Sequence, residues 1–289
     1  MQSGATPDRR LLAWNGLQIS HPSTWEPRVT GLCHLIFEED FQPRLQLRWQ
    51  KNAKADVTNL ELLATKLTGS AGFIFQAEAL PPEWRALREK FQLLTCSQRA
   101  TGAMAGGVLY CQECMTLIYF QVFPGRSESS SEVARSLTTL SCHGQQELMW
   151  RIDDFSLVTP SSFILSDYTF AAGLTRLSFV SGNLRLQTCK LAPADIRLRQ
   201  QTLGQILTAL AGAKGLHLHP DRTGHSCEGS RTPSLPHRLL HMLRRDRPYI
   251  KAHIRHDEEK NRLLTVILSG NHPIPETLLQ TLCNHHEIV

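Results

Sequence analysis

The side chains with the clearest chemical potential in this sequence are two cysteines in the stretch Cys111-Gln-Glu-Cys114. Two thiolates separated by two residues can both reach one ion, so this pair can supply half of a tetrahedral zinc site. The flanking residues alternate as in a β-hairpin, whereas a redox-active Cys-x-x-C pair depends on a helix N-terminus to lower one thiol pKa. The pattern therefore favours zinc over thiol–disulfide exchange, with two small hairpin residues of no special function as the alternative.

The remaining zinc ligands are not obvious, because no second cysteine pair occurs at zinc-knuckle spacing. Other metal-ligating side chains gather in a His-, Gly- and Ser-rich insertion near residues 217–236. The predicted metal ligands are Cys111, Cys114, His217, His219, His225 and Cys227. Such a site would join two distant parts of the chain. The alternative is a surface insertion with no specific role and a protein without any cofactor.

Signatures of catalysis are missing from the sequence. It contains no phosphate-binding glycine loop, no G-x-S-x-G elbow and no H-E-x-x-H helix. Its 13 histidines show no spacing that identifies a general base and its orienting partner. We assign no catalytic or organic-cofactor residue, so whether the chain is an enzyme stays uncertain, leaning towards no. An active site built from distant residues remains open.

The most basic stretch runs from His237 to His256 and contains six lysines and arginines with Tyr249 among them. Cations of this kind neutralise phosphates, and a tyrosine can stack on a base. Apolar residues at helical spacing in the same stretch indicate a half-buried helix with solvated charges. Nucleic acid is therefore an unlikely partner, and weak binding through residues 237–256 is kept as an alternative.

Length and composition place the chain among folded proteins of about two domains. It has 289 residues, 41% of them hydrophobic and 20% charged, with a formal net charge of +5. No apolar run reaches the roughly 18–20 residues that a membrane span needs. The N-terminal residues lack the apolar core of a signal peptide. We expect a cytoplasmic protein whose cysteines are reduced.

Two stretches of the chain resemble each other and organise the rest. Trp14–Trp25, WNGLQISHPSTW, is echoed by Ile152–Phe163, IDDFSLVTPSSF. Each combines a period-2 strand with a proline that ends it and an aromatic residue three positions later. The residues that define this motif are Trp14, Pro22, Trp25, Pro160 and Phe163. We interpret it as the opening of a domain that occurs twice.

The predicted elements repeat in the same order in both halves. Residues 1–13 are expected to be a polar lead-in. Helices are expected over Asp56–Gly69, Pro82–Leu94, Glu132–Cys142, Asp195–Gly212, residues 237–245 and Pro275–His286, with hairpins between them and a loop over Pro220–Pro236. This order predicts an α+β fold of two tandem, internally duplicated domains, residues 1–146 and 147–289. Each has a central antiparallel sheet with helices packed on its faces. Two unrelated α+β domains are the alternative.

The opening strand, the Pro22-x-x-Trp25 turn and the following GLCHLIFEED strand resemble the Mog1/PsbP-like fold superfamily. That resemblance implies a central antiparallel sheet with packed helices, but its members have unrelated functions, so no functional residue carries over. The leading hypothesis is a non-catalytic cytoplasmic binding or scaffold protein whose partner is another protein. Zinc binding and weak nucleic-acid binding are the alternatives, and the oligomeric state stays open.

Overall fold

The protein is described by a computed structural model that covers residues 8–53, 73–76, 82–98, 104–123, 127–143, 147–213, 215–233 and 247–289. The chain forms two compact units. The first comprises Met1–Gln145 with Arg151–Asp153, and the second comprises Gln146–Trp150 with Asp154–Val289. None of the described helices is long and apolar enough to cross a membrane.

The first unit is built on an antiparallel sheet. Its strands are β1 (Arg9–Trp14), β2 (Leu17–Pro22), β3 (Glu26–Gly31), β4 (His34–Glu39), β5 (Gln42–Gln50), β6 (Phe73–Gln76), β7 (Gln92–Gln98), β8 (Met104–Cys111) and β9 (Thr116–Val122). Seven of them form one sheet in the order β3-β4-β5-β9-β8-β7-β6, while β1 and β2 pair as a hairpin. A 3-10 helix (Pro82–Glu89) and helix α1 (Ser127–Thr138) accompany the strands.

The second unit has the same kind of sheet. Its strands are β11 (Phe155–Pro160), β12 (Ile164–Ala171), β13 (Leu174–Ser181), β14 (Leu184–Leu191), β15 (His217–Pro220), β16 (Ser226–Arg231), β17 (Tyr249–Asp257), β18 (Arg262–Gly270) and β19 (His286–Ile288), and β10 (Glu147–Ile152) lies at the division between the units. The sheet order is β12-β13-β14-β18-β17-β16-β15, and β11 pairs with β19. The helices are α2 (Ala194–Leu198), α3 (Leu203–Ala211) and α4 (Glu276–Asn284).

Both seven-stranded sheets follow one scheme. A three-stranded meander supplies one half, a four-stranded meander supplies the other, and the third and last strands pair in the middle. All the pairings within them are antiparallel. The observed class is therefore mixed α+β in which sheets dominate. The common order is what a duplication requires, and the duplication itself stays a prediction.

The proline–aromatic motif forms the same turn in each unit. The Trp25 amide donates to the Pro22 carbonyl over 3.0 Å, and the Phe163 amide donates to the Pro160 carbonyl over 3.0 Å. Both aromatic rings are buried just before the following strand, and Trp14 at the end of β1 is also fully buried. The proline ends its strand because it has no N–H for the ladder.

Several element predictions were wrong. Residues 9–14 form β1 rather than a lead-in, because Asn15 and Gly16 adopt the positive φ of a tight hairpin turn. The helix expected over Pro82–Leu94 is a 3-10 helix to Glu89 followed by β7. The loop expected over Pro220–Pro236 contains β16. Two further helix predictions, Asp56–Gly69 and residues 237–245, lie outside the described residues.

Helix α3 shows how the second unit closes over its sheet. The expected single helix over Asp195–Gly212 breaks before Thr202, which caps α3 through a reciprocal pair of hydrogen bonds with Gln205. Gly212 ends the helix in the left-handed region with φ +60. The apolar face of α3 packs on strand residues in one core, formed in part by Leu203, Ile206, Leu207, Ile250, Ala252 and Ile254.

One buried histidine, His286, makes the stability of the second unit depend on pH. His286 is 1% exposed and packs edge-on against Phe155, with ring centroids 5.1 Å apart. Neither ring nitrogen has a hydrogen-bond partner among the described residues. Burial, then the charges of Arg255 and His253, lowers the pKa of His286 from 6.5 to about 3. Below pH 6.5 and down to about pH 3, the folded protein therefore holds a neutral imidazole where the unfolded chain binds a proton.

We predict that this histidine makes folding sensitive to mild acid. The pKa of His286 is lower in the folded protein than in the unfolded chain. The free energy of unfolding therefore falls as the pH drops below 6.5, by up to about 1.4 kcal/mol per pH unit. Urea unfolding of the full chain at pH 7 and pH 5 measures this slope. The variant His286→Leu should lose less stability between those values than the wild type. Equal losses in the two proteins would contradict the assignment.

Candidate metal centre

Four metal-ligating side chains meet in the first unit: Cys111, Cys114, Cys142 and His143. Their sulfur and nitrogen atoms all lie within 4.8 Å of one another. The Cys111 Sγ atom lies 3.4 Å from His143 Nδ1, and Cys114 Sγ lies 3.4 Å from Cys142 Sγ. Cys142 Sγ lies 4.0 Å from His143 Nδ1. We refer to these four residues as the thiol cluster.

The hairpin between β8 and β9 positions the first two thiols. Cys111 is the last residue of β8, and Cys114 lies in the turn that leads into β9. Met115 completes this turn with φ +52, and its carbonyl accepts a hydrogen bond of 2.8 Å from the Ala53 amide. The turn is thus held from outside the hairpin as well as by its own strands.

The chain beyond α1 supplies the other two ligands. Ser141 bridges to Gln18 of β2 through reciprocal backbone hydrogen bonds of 2.8 and 3.0 Å. This bridge fixes the backbone immediately before Cys142 and His143. Two ligands that lie about thirty residues from the hairpin in sequence are therefore brought to it by β2.

Glu113 sets the orientation of the histidine ring. Its carboxylate lies 3.0 Å from His143 Nε2, while Nδ1 of the same ring faces the thiols. A hydrogen bond from Nε2–H to the carboxylate leaves Nδ1 as a lone-pair donor towards the cluster. Metal-bound histidines commonly have such a carboxylate behind them, because it fixes the tautomer and makes the ligand more basic.

The surroundings of the thiols differ from one to the next. Burial acts to raise the pKa of Cys114, but hydrogen bonds, first the one between Cys114 Sγ and Thr116 Oγ1 at 3.1 Å, leave the pKa below its usual value. Burial, then the hydrogen bond with Cys114, raises the pKa of Cys142. Burial lowers the pKa of Lys51, while the Cys33 thiol and then the Cys114 thiol act to raise it. A lysine ammonium at this place offsets the negative charge of several thiolates.

Three of the six separations between the ligand atoms are close to those in a zinc coordination sphere. A tetrahedral ion with Zn–S of about 2.3 Å and Zn–N of about 2.0–2.1 Å separates its ligand atoms by roughly 3.5–3.8 Å. The three separations given above, 3.4, 3.4 and 4.0 Å, bracket that range. Three thiols and one imidazole are also the soft and borderline donors that zinc takes in structural sites.

The six predicted metal ligands do not come together at one place in the structure. Cys111 and Cys114 meet Cys142 and His143, which sequence reasoning did not select because the closing helix was expected to run through Cys142. Helix α1 ends at Thr138 instead. The only signal for the missing pair was the adjacent Cys-His dipeptide itself.

The insertion residues occupy other places in the second unit. His217 and His219 are exposed on β15. Cys227 is 3% exposed in the core beneath α3, where burial raises its pKa. His225 lies beside His256 and Glu258. Among the described residues, these four side chains do not form a single metal cluster.

The described part of the basic stretch consists of residues 247–256, and its cations have protein partners. Lys251 pairs with Glu276, Arg255 donates to the His286 carbonyl, and Arg247 Nε donates to the Asn183 carbonyl over 3.3 Å. Tyr249 is 8% exposed, so its ring is buried rather than available for stacking on a base. Nothing in these residues supports the nucleic-acid alternative.

Comparison with known proteins gives few leads. Neither a family model nor a curated sequence matches the chain. A structure of MucB in complex with MucA(peri) is 9% identical, covers 97% of this chain and 85% of that chain, and has a TM-score of 0.21. A structure of MucB is 10% identical over 97% of this chain and 85% of that chain, with a TM-score of 0.20. The complex of Pseudomonas aeruginosa MucA/MucB is 9% identical over 97% and 86%, with a TM-score of 0.16. Scores at this level assign neither fold nor function.

Proposed function

We propose that this chain is a non-catalytic, zinc-stabilised binding protein whose first unit holds one structural zinc ion in the thiol cluster. The observation that carries the proposal is the convergence of four ligand atoms within 4.8 Å, with Glu113 behind the histidine. Four protein ligands close a tetrahedral ion and leave no position for a substrate. The metal would therefore serve the fold, linking the β8–β9 turn to the chain after α1.

The broader setting of the proposal follows from the same chemistry. Zinc-bound thiolates persist where thiols stay reduced, which supports a cytoplasmic location. Among the described residues, the cysteines with placed side chains form no disulfide.

The shared sheet order and the paired proline–aromatic turns support two tandem copies of one domain, and we retain the Mog1/PsbP-like resemblance as the proposed origin of both.

Zinc analysis of the purified chain, made without a histidine tag, tests the metal directly. We predict about one tightly held zinc per chain, and binding weaker by more than about 100-fold after Cys142→Ser or His143→Ala, because each removes a ligand. Cys33→Ser is the matched control, since Cys33 is a half-buried thiol outside the cluster. Zinc-free wild-type protein that folds normally would refute the proposal.

The role assigned to Glu113 has its own test. Replacing the carboxylate by an amide in Glu113→Gln weakens the acceptor for His143 Nε2–H without changing the side-chain volume. We expect zinc affinity to fall by about 10–100-fold in competition with a chromophoric chelator. Gln112→Ala, one residue away in the same turn, should bind zinc like the wild type. If Glu113→Gln does so too, the carboxylate has no part in the site.

The protein-binding part of the proposal is supported by β12, an edge strand of the second sheet. Ile164 is 67% exposed and Phe170 is 38% exposed along it. An edge strand with exposed apolar side chains is a template for pairing with an extended segment of another protein, which gains backbone hydrogen bonds from it.

We predict that Ile164→Lys removes partner capture, because it places a charge on the strand edge where the partner would pack. Affinity capture from a native extract compares it with Ile196→Lys, which changes an isoleucine on α2 that is 53% exposed. A partner retained by the wild type and Ile196→Lys but lost with Ile164→Lys is the expected result. A partner that both variants retain would show that β12 is not the binding edge.

A further inference from the structure

A second group of metal-ligating side chains lies in the second unit and has no part in the thiol cluster. His225, His256 and Glu258 place their ligand atoms within 4.8 Å of one another. His225 Nδ1 lies 3.1 Å from a carboxylate oxygen of Glu258. Two imidazoles and one carboxylate are a ligand set that zinc uses at sites where protein supplies three of the four donors.

The sheet explains why these residues converge. Strands β16 and β17 pair with Ser226 opposite Arg255, so His225 and His256 are the next neighbours across the ladder. The His256 amide donates to the His225 carbonyl over 2.8 Å, which fixes the two backbones. Glu258 follows His256 by two residues and lies in the turn just after β17, where its carboxylate reaches the imidazole of His225.

The place of this group in the fold matches that of the thiol cluster. In the common sheet order, β8 and β9 correspond to β17 and β18. Cys111 ends β8 and Cys114 lies in the turn that follows, whereas His256 lies near the end of β17 and Glu258 lies in the turn that follows. Each unit thus carries two of its metal-ligating side chains at the equivalent hairpin turn.

We propose that His225, His256 and Glu258 form a second, solvent-accessible site for a zinc-type divalent cation. The His225 side chain is 51% exposed and that of Glu258 is 65% exposed, so water or an anion reaches the fourth coordination position. With one carboxylate and two neutral imidazoles, the loaded site carries one net positive charge. It is therefore suited to exchange its outer ligand, unlike a closed thiolate site.

The alternative is a plain ion pair between protonated His225 and Glu258. That pair involves two of the three residues and leaves His256 without a role. A metal site needs all three, because an exposed ion held by only two side chains binds weakly. The effect of changing His256 therefore distinguishes a metal site from an ion pair between His225 and Glu258.

Equilibrium dialysis of the full chain against Zn²⁺, starting from protein with its thiol cluster loaded, tests the proposal. The wild type is expected to take up one further zinc ion. His256→Ala and Glu258→Gln should each weaken this uptake by at least about tenfold. His219→Ala, which removes an exposed histidine from neighbouring β15, should leave it unchanged. Histidine side-chain NMR resonances of the wild type should shift at two residues on zinc addition.

The outcomes separate this proposal from that for the thiol cluster. Cys142→Ser should lose the tight zinc and keep the weaker one, whereas His256→Ala should do the reverse. A wild type that takes up no zinc beyond the cluster would overturn the second site. So would unchanged uptake by His256→Ala, or a loss of uptake in His219→Ala equal to that in His256→Ala. Circular dichroism of each variant establishes that it is folded.

Discussion

The fold of each unit depends on one antiparallel ladder between strands that are far apart in sequence. In the first unit, residues Leu45–Gln50 of β5 pair with Leu117–Val122 of β9. In the second, Arg185–Leu191 of β14 pair with Leu263–Ser269 of β18. Within the described residues, every other pairing in these two sheets joins consecutive strands, so this ladder is the strand pairing that joins the two meanders there. Closing such a long loop costs chain entropy, which burial of the ladder residues must offset.

Both candidate metal sites lie next to a strand of this ladder. Each lies at the hairpin that introduces the last strand of its sheet, which is the strand that makes the non-local ladder. In the first unit the ligands are buried or half-buried thiols with one histidine, and two of them come from beyond α1. A closed ion there would tie the start of β9 to the rest of the unit. In the second unit His225 and Glu258 are exposed and His256 is partly buried, and α3 and α4 pack over the sheet that contains the ladder.

Local patterns predicted much of the sheet and half of the thiol cluster. Cys111 and Cys114 share one hairpin, so their spacing reveals them, but their partners arrive through the bridge between Ser141 and Gln18, which no local pattern encodes. Strand β16 escaped prediction because its residues, SCEGSR, include no β-branched or aromatic side chain. The break before Thr202 did have a signal, since Thr-x-x-Gln is a capping box, but the continuous apolar spacing on both sides concealed it.

Zinc K-edge X-ray absorption of the purified His256→Ala variant tests the central claim, a zinc ion in the thiol cluster, most directly, because this variant lacks the second proposed site. We predict a first shell of about three sulfur atoms at about 2.3 Å and one nitrogen at about 2.0–2.1 Å. A shell of oxygen and nitrogen without sulfur, or protein that contains no zinc, would contradict the account.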